Sequence, residues 1–99
     1  MNIIMKPEGS TLNIALEGRL DTTTSPQLEA ELSGALDGVT ELVFDLDKLE
    51  YISSAGLRVL LSCQKTMNKQ GEMFIDNVCP EIMEIFDVTG FVDILNIRQ

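Results

Sequence analysis

The chain predicts an α/β fold, a single domain with a mixed, mainly parallel β-sheet and helices packed mostly on one face. Three observations carry that prediction. From Thr11 onward, strand-like and helix-like segments alternate, the pattern of parallel strands joined by helical crossovers, which are right-handed as a rule. Leu42-Val43-Phe44-Asp45-Leu46 is a nearly continuous apolar run, as expected of a strand covered on both faces. From Gly56 the pattern turns helical: Leu57, Leu60, Leu61 and Met67 share one face, and Arg58, Ser62, Lys65 and Lys69 another. A length of 99 residues suits one compact domain, residues 1–99, with one core.

Taken in order, residues 2–6 read as a short edge strand and Pro7-Glu8-Gly9-Ser10 as a turn. Thr11 to Gly18 alternates, Leu12, Ile14 and Leu16 against Asn13, Ala15 and Glu17, which predicts a half-buried strand hairpin-paired with the first. Leu20-Asp21-Thr22-Thr23 leads into a helix. Thr24 with Gln27 fits a capping box, and Ser25 as N-cap with Pro26 at the first helical position fits equally. Leu28, Leu32, Ala35 and Leu36 form its apolar stripe, with the end predicted near Gly38.

Tyr51-Ile52-Ser53-Ser54-Ala55-Gly56-Leu57 reads as a strand end, a tight turn and the start of the next helix. Serine is a preferred N-cap, because its hydroxyl accepts a bond from an early helix N–H. A hydroxyl at this point also sits in the positive field of a helix N-terminus, which suits a phosphate. Asp45, Asp47 and Glu50 precede the turn. Carboxylates there can suggest a Mg²⁺ site, but the set is unspecific and reads more simply as strand-ending, solvated residues. Gln70-Gly71 ends the central helix, and Glu72 to Val78 is a strand. Pro80 and Glu81 open a third helix with Ile82, Ile85 and Phe86 inward and Gly90 as its stop. Ile94 to Ile97 is predicted as a last short strand.

Composition narrows the chemistry. The net charge of −9 argues against a nucleic-acid surface, which needs clustered Lys and Arg, and suits either solubility alone or a partner with a basic patch. No apolar stretch approaches a membrane span and the first residues lack the apolar block of a secretory signal, so no membrane insertion and a cytoplasmic location are expected. Two cysteines, Cys63 and Cys79, make no disulfide framework, and both are expected to be reduced. With no histidine there is no His-dependent triad, no histidine base and no His-ligated metal. The turn at Ser54 lacks the G-x-S-x-G pattern of a nucleophile elbow, and the spacing of a phosphate-binding loop is absent. A binding module without catalysis or cofactor is the expectation.

The run Asp45-Leu46-Asp47-Lys48-Leu49-Glu50-Tyr51-Ile52-Ser53-Ser54-Ala55-Gly56-Leu57 resembles the signature of STAS domains, specifically the bacterial anti-sigma-factor antagonists. Glu17-Gly18-Arg19-Leu20-Asp21 and Phe86-Asp87-Val88-Thr89-Gly90 extend the resemblance over nearly the whole chain. The family's turn reads Asp-Ser-Ser/Thr-Gly-Leu, and the serine after the aspartate is phosphorylated by a partner kinase. That serine falls on Ser54, the glycine on Gly56 and the leucine on Leu57. The family's aspartate falls on Ser53, Ala55 replaces the second hydroxyl residue, and Arg58 replaces a frequent glycine.

The resemblance implies an antagonist that binds an anti-sigma-factor serine kinase and frees the sigma factor. Phosphorylation of Ser54 switches it off, and a phosphatase resets it. Asp21, Ser53, Ser54, Gly56 and Arg58 are then the partner-binding residues, with Ser53 and Gly56 shaping the turn. Gly56 is expected to serve either a close approach of the partner's backbone or a φ that other residues avoid. On pattern alone, Ser54 is accounted for as a helix cap, though capping needs only one hydroxyl and Ser53 can supply it, and Asp21 as a local turn residue. Rival readings are an accessory subunit of a transport or lipid-trafficking assembly, and a scaffold module that is never phosphorylated.

Overall fold

The computed structural model describes residues 1–98. Five strands, β1 (Asn2–Glu8), β2 (Thr11–Leu20), β3 (Glu41–Ile52), β4 (Glu72–Asp76) and β5 (Ile97–Arg98), form one sheet in sequential order. β1 runs antiparallel to β2, and every other neighbouring pair is parallel. Helices α1 (Ser25–Leu32), α2 (Ser54–Gln70) and α3 (Pro80–Thr89) fill the crossovers. A sequential parallel order with crossovers of one hand returns every helix to the same face. That face carries the core: Ile14, Leu20, Leu28, Phe44, Leu60 and Phe86 are all fully buried.

Several elements differ from the sequence reading. β1 continues through Pro7 to Glu8, because an edge strand can spare the ladder hydrogen bond that proline cannot make. β3 runs through Asp45, Asp47 and Glu50 to the strand end read at Tyr51–Ile52, but not as a regular ladder. Between Asp45 and Ile52 it advances seven residues while β2 advances five, from Ala15 to Leu20, with register shifts at Ala15/Glu17 and Gly18/Arg19. Each shift lets β3 carry an extra residue, so the buried positions Leu42, Phe44 and Leu46 give way to Leu49 and Ile52 at a spacing of three.

α1 stops at Leu32 rather than near Gly38, because Gly34 adopts a left-handed φ of 78° just past the cap at Ser33. Ala35 and Leu36 stay half-buried in the turns that follow. Neither of the two proposed side-chain caps of α1 forms. Thr24 is the N-cap position, but its hydroxyl donates to the Arg19 carbonyl at 2.8 Å and accepts from the Asp21 N–H at 2.8 Å. Gln27 reaches instead toward the Met1 carbonyl. β4 ends at Asp76, two residues short of Val78. Of the segment predicted as a last strand, residues 94–96 form the turn and bend that follow a 3-10 helix at Phe91–Asp93, and the strand is confined to Ile97–Arg98. α3 ends at Gly90, which takes the left-handed conformation expected of a helix stop.

Candidate functional site

The parallel strands β2 and β3 deliver two strand-to-helix turns side by side. Leu20 pairs with Ile52 in the ladder, and the Ser53 N–H donates to the Leu20 carbonyl at 2.9 Å. The start of α2 is thereby fastened to the end of β2. Ser53 is the N-cap of α2, in extended conformation, and its Oγ accepts from the Gly56 N–H at 3.4 Å. Ser54 is the first helical residue and is exposed, and its hydroxyl makes no hydrogen bond among the described residues. The N–H groups of a first turn have no intrahelical acceptor, so the Ser54 hydroxyl stands in a positive local field. Capping falls to one serine and leaves the other free.

Asp21 organises the neighbouring turn. Its Oδ1 accepts from the Thr23 hydroxyl at 2.7 Å, the Thr23 N–H at 3.0 Å and the Thr24 N–H at 3.1 Å. These bonds, led by the Thr23 hydroxyl, hold its carboxyl below the ordinary aspartate value. The buried Ser25 hydroxyl closes the turn from inside, donating to the Asp21 carbonyl at 2.6 Å. Asp21 is thus the local hydrogen-bonding residue that its position suggests, and it remains part-exposed beside the Ser53–Ser54 turn.

Gly56 does not have the unusual φ that was one of its two expected roles. It is buried, its backbone is helical, and it packs against its own chain. A Cβ there would lie 2.7 Å from Leu20 Cγ and 2.8 Å from Ile52 Cγ1, so glycine allows α2 to settle onto the ends of β2 and β3. Arg58, one turn past Ser54, is exposed. The predicted inner face of α2 is largely as read: Leu57, Leu60 and Met67 are buried and Leu61 is half-buried, with Val59, Cys63 and Gln64 added.

Sequence reading missed one further pair beside the turn. Arg19 lies 4.4 Å from the centroid of the exposed Tyr51 ring and 3.8 Å from Asp21. The two residues come opposite each other only because of the register shift between Gly18 and Arg19, which no periodicity announces. Elsewhere, Asp45 Oδ1 accepts from the Asp47 N–H and from Asn77 Nδ2, both at 3.0 Å, so this carboxylate ties β3 to the loop after β4. Cys79 caps α3 without a side-chain cap bond, and burial pushes the Cys63 thiol up to about 11. Among the described residues, no helix is long and apolar enough to cross a membrane.

The STAS domain model matches residues 2–99, and the chain belongs to that family. Among curated relatives it is similar to BtrV of Bordetella bronchiseptica, an anti-sigma factor antagonist by name, at 37% identity over all of this chain and 87% of the relative. It is also 27% identical to the anti-sigma-B factor antagonist of Staphylococcus aureus, over all of this chain and 94% of that one. Among solved structures, the anti-sigma factor antagonist SpoIIAA in its unphosphorylated form matches with a TM-score of 0.77 at 20% identity, over 99% of this chain and 88% of that one. A Thermotoga maritima protein matches at 0.89 and 14% identity, over 98% and 86%. At these identities the structural likenesses speak for the fold.

Proposed function

We propose that the protein is an anti-sigma-factor antagonist whose unmodified form binds an anti-sigma serine kinase, releasing the sigma factor, and whose Ser54 is the residue phosphorylated to end that binding. The observation that carries the reading is the division of labour at the turn: Ser53 caps α2, and Ser54 is left exposed and unbonded at its first position. The names of the relatives support the general function.

The departure from the family at Ser53 fits the same reading. Serine and aspartate are comparable N-caps, so the exchange keeps the local structure and removes one negative charge beside the phosphoacceptor. A phosphate on Ser54 adds about −1.5 to −2 charge at a helix N-terminus, where it is tolerated, with Arg58 one turn away as a counter-charge. SpoIIAA, solved in both forms, is matched with TM-scores of 0.77 and 0.76, which supports a fold that accommodates the modification. The effect then falls on association: a partner surface shaped for a neutral hydroxyl must desolvate a dianion. Asp21 and Arg58 flank the contact, Gly56 sets the height of the helix beneath it, and a phosphatase restores the binding form.

The experiment is incubation with ATP and the cognate kinase, followed by intact-mass measurement and fragmentation. One phosphate on Ser54, absent from Ser54→Ala, is expected. A phosphate on Ser53, or none, would overturn the assignment.

A further inference from the structure

A concavity of about 420 Å³ lies between α1 and α2. That size falls in the range of small-molecule pockets, about 300–1,000 Å³. Leu32 and Leu36 on one wall and Val59 on the other give it an apolar interior. Its two charged residues stand on opposite walls: Glu29 on α1 and Arg58 on α2. Both are exposed, and among the described residues neither comes within 4 Å of an opposite charge. The Ser62 hydroxyl stands at the rim.

We infer that this groove is a binding site for a small zwitterion with an apolar body, in class an apolar α-amino acid. The lining selects that chemistry by charge. A simple anion would pair with Arg58 but face Glu29 in a chain of net charge −9. A simple cation would pair with Glu29 and meet the guanidinium of Arg58. A zwitterion satisfies both walls, its carboxylate on Arg58 through charge-assisted hydrogen bonds and its ammonium on Glu29. The apolar body then packs against half-buried Leu36 and the small exposed edges of the core residues Leu32 and Val59. Arg58 and Glu29 have long, exposed side chains with no opposite charge within 4 Å among the described residues, so both are available to a ligand in the groove. The site needs neither the kinase nor a phosphate, so it stands or falls apart from the function proposed above.

The test is an NMR titration of the isotope-labelled chain with L-leucine, L-methionine and L-phenylalanine. Two analogues each lack one charge: 4-methylpentanoate has no amine, and 3-methylbutylamine has no carboxylate. Saturable shifts confined to the facing sides of α1 and α2 are expected with at least one amino acid, and each analogue should bind about tenfold or more weakly. Arg58→Ala removes the carboxylate's partner, and Ser62→Trp fills the groove from an exposed rim position. Each should weaken binding by about tenfold or more, with the rest of the spectrum unchanged. The inference is overturned if none of the three amino acids gives saturable shifts, or if the shifts lie elsewhere. It is equally overturned if an analogue binds as well as the amino acids, or if both variants bind as the parent does.

Discussion

Adding one methyl group at Gly56 sets two effects of opposite sign against each other. Alanine in place of glycine within a helix is ordinarily favourable by about 0.8–1.0 kcal/mol. At this position the new Cβ would lie 2.7 Å from Leu20 Cγ, 2.8 Å from Ile52 Cγ1 and 3.0 Å from Leu20 Cδ2. Leu20 is 0% exposed and Ile52 1%, so neither side chain has free space to retreat into. Overpacking of this kind costs about 1–3 kcal/mol. The clash therefore outweighs the propensity gain, and Gly56→Ala should destabilise by roughly 1 kcal/mol, with an upper end near 2. For a domain of this size, 1 kcal/mol lowers Tm by about 4–8 °C. Urea unfolding of the parent, Gly56→Ala, Leu20→Ala and the double variant measures both the net effect and its cause. Leu20→Ala deletes two of the three close atoms, so the two changes should couple by about 0.5–3 kcal/mol, with the double variant less damaged than the sum. A Gly56→Ala protein stabilised by the full helix-propensity gain, or strict additivity with Leu20→Ala, would refute the packing argument.

Leu60 is fully buried on the inner face of α2, and Leu60→Ala should cost about 2–5 kcal/mol in chemical unfolding. Asp21 has a folded-state pKa below its ordinary value of 3.8, so its contribution to stability is present above that pH and is lost as pH falls through the depressed value. Asp21→Asn should flatten that part of the acid limb of stability against pH, and an unchanged limb would contradict the turn geometry. Cys63 is buried with its pKa pushed up to about 11, so a thiol reagent at neutral pH should label Cys79 first and Cys63 only as the protein unfolds. Equal labelling rates in the folded state would contradict the burial of α2.

Much of this architecture is legible in the sequence because the signals are local. Leu12, Ile14 and Leu16 alternate along β2, and the stripe Leu57–Leu60–Met67 fixes the buried face of α2. What escapes is set by contacts distant in sequence. The apolar spacing along β3 changes from two to three after Leu46, and only the pairing with β2 explains the change. Thr24 has the residue pattern of a capping box, yet the Arg19 carbonyl and Asp21 N–H claim its hydroxyl. Gly56 was readable as a turn residue but not as a packing residue, since its neighbours Leu20 and Ile52 lie on two different strands. At the site, the position of Ser54 could be read from the serine pair and the helix that follows. The division of labour between Ser53 and Ser54 needed the backbone.

The central claim is a switch in association at Ser54, and calorimetric titration of the cognate kinase tests it most directly. The kinase would be titrated with the unmodified chain, with the chain phosphorylated on Ser54, and with Ser54→Ala. The unmodified chain and Ser54→Ala should bind comparably, since alanine adds neither bulk nor charge. The phosphorylated chain should bind far more weakly while melting at nearly the same temperature, because its phosphate is tolerated at the start of α2 and rejected by the partner. Equal affinity of the phosphorylated and unmodified chains for the kinase would contradict it.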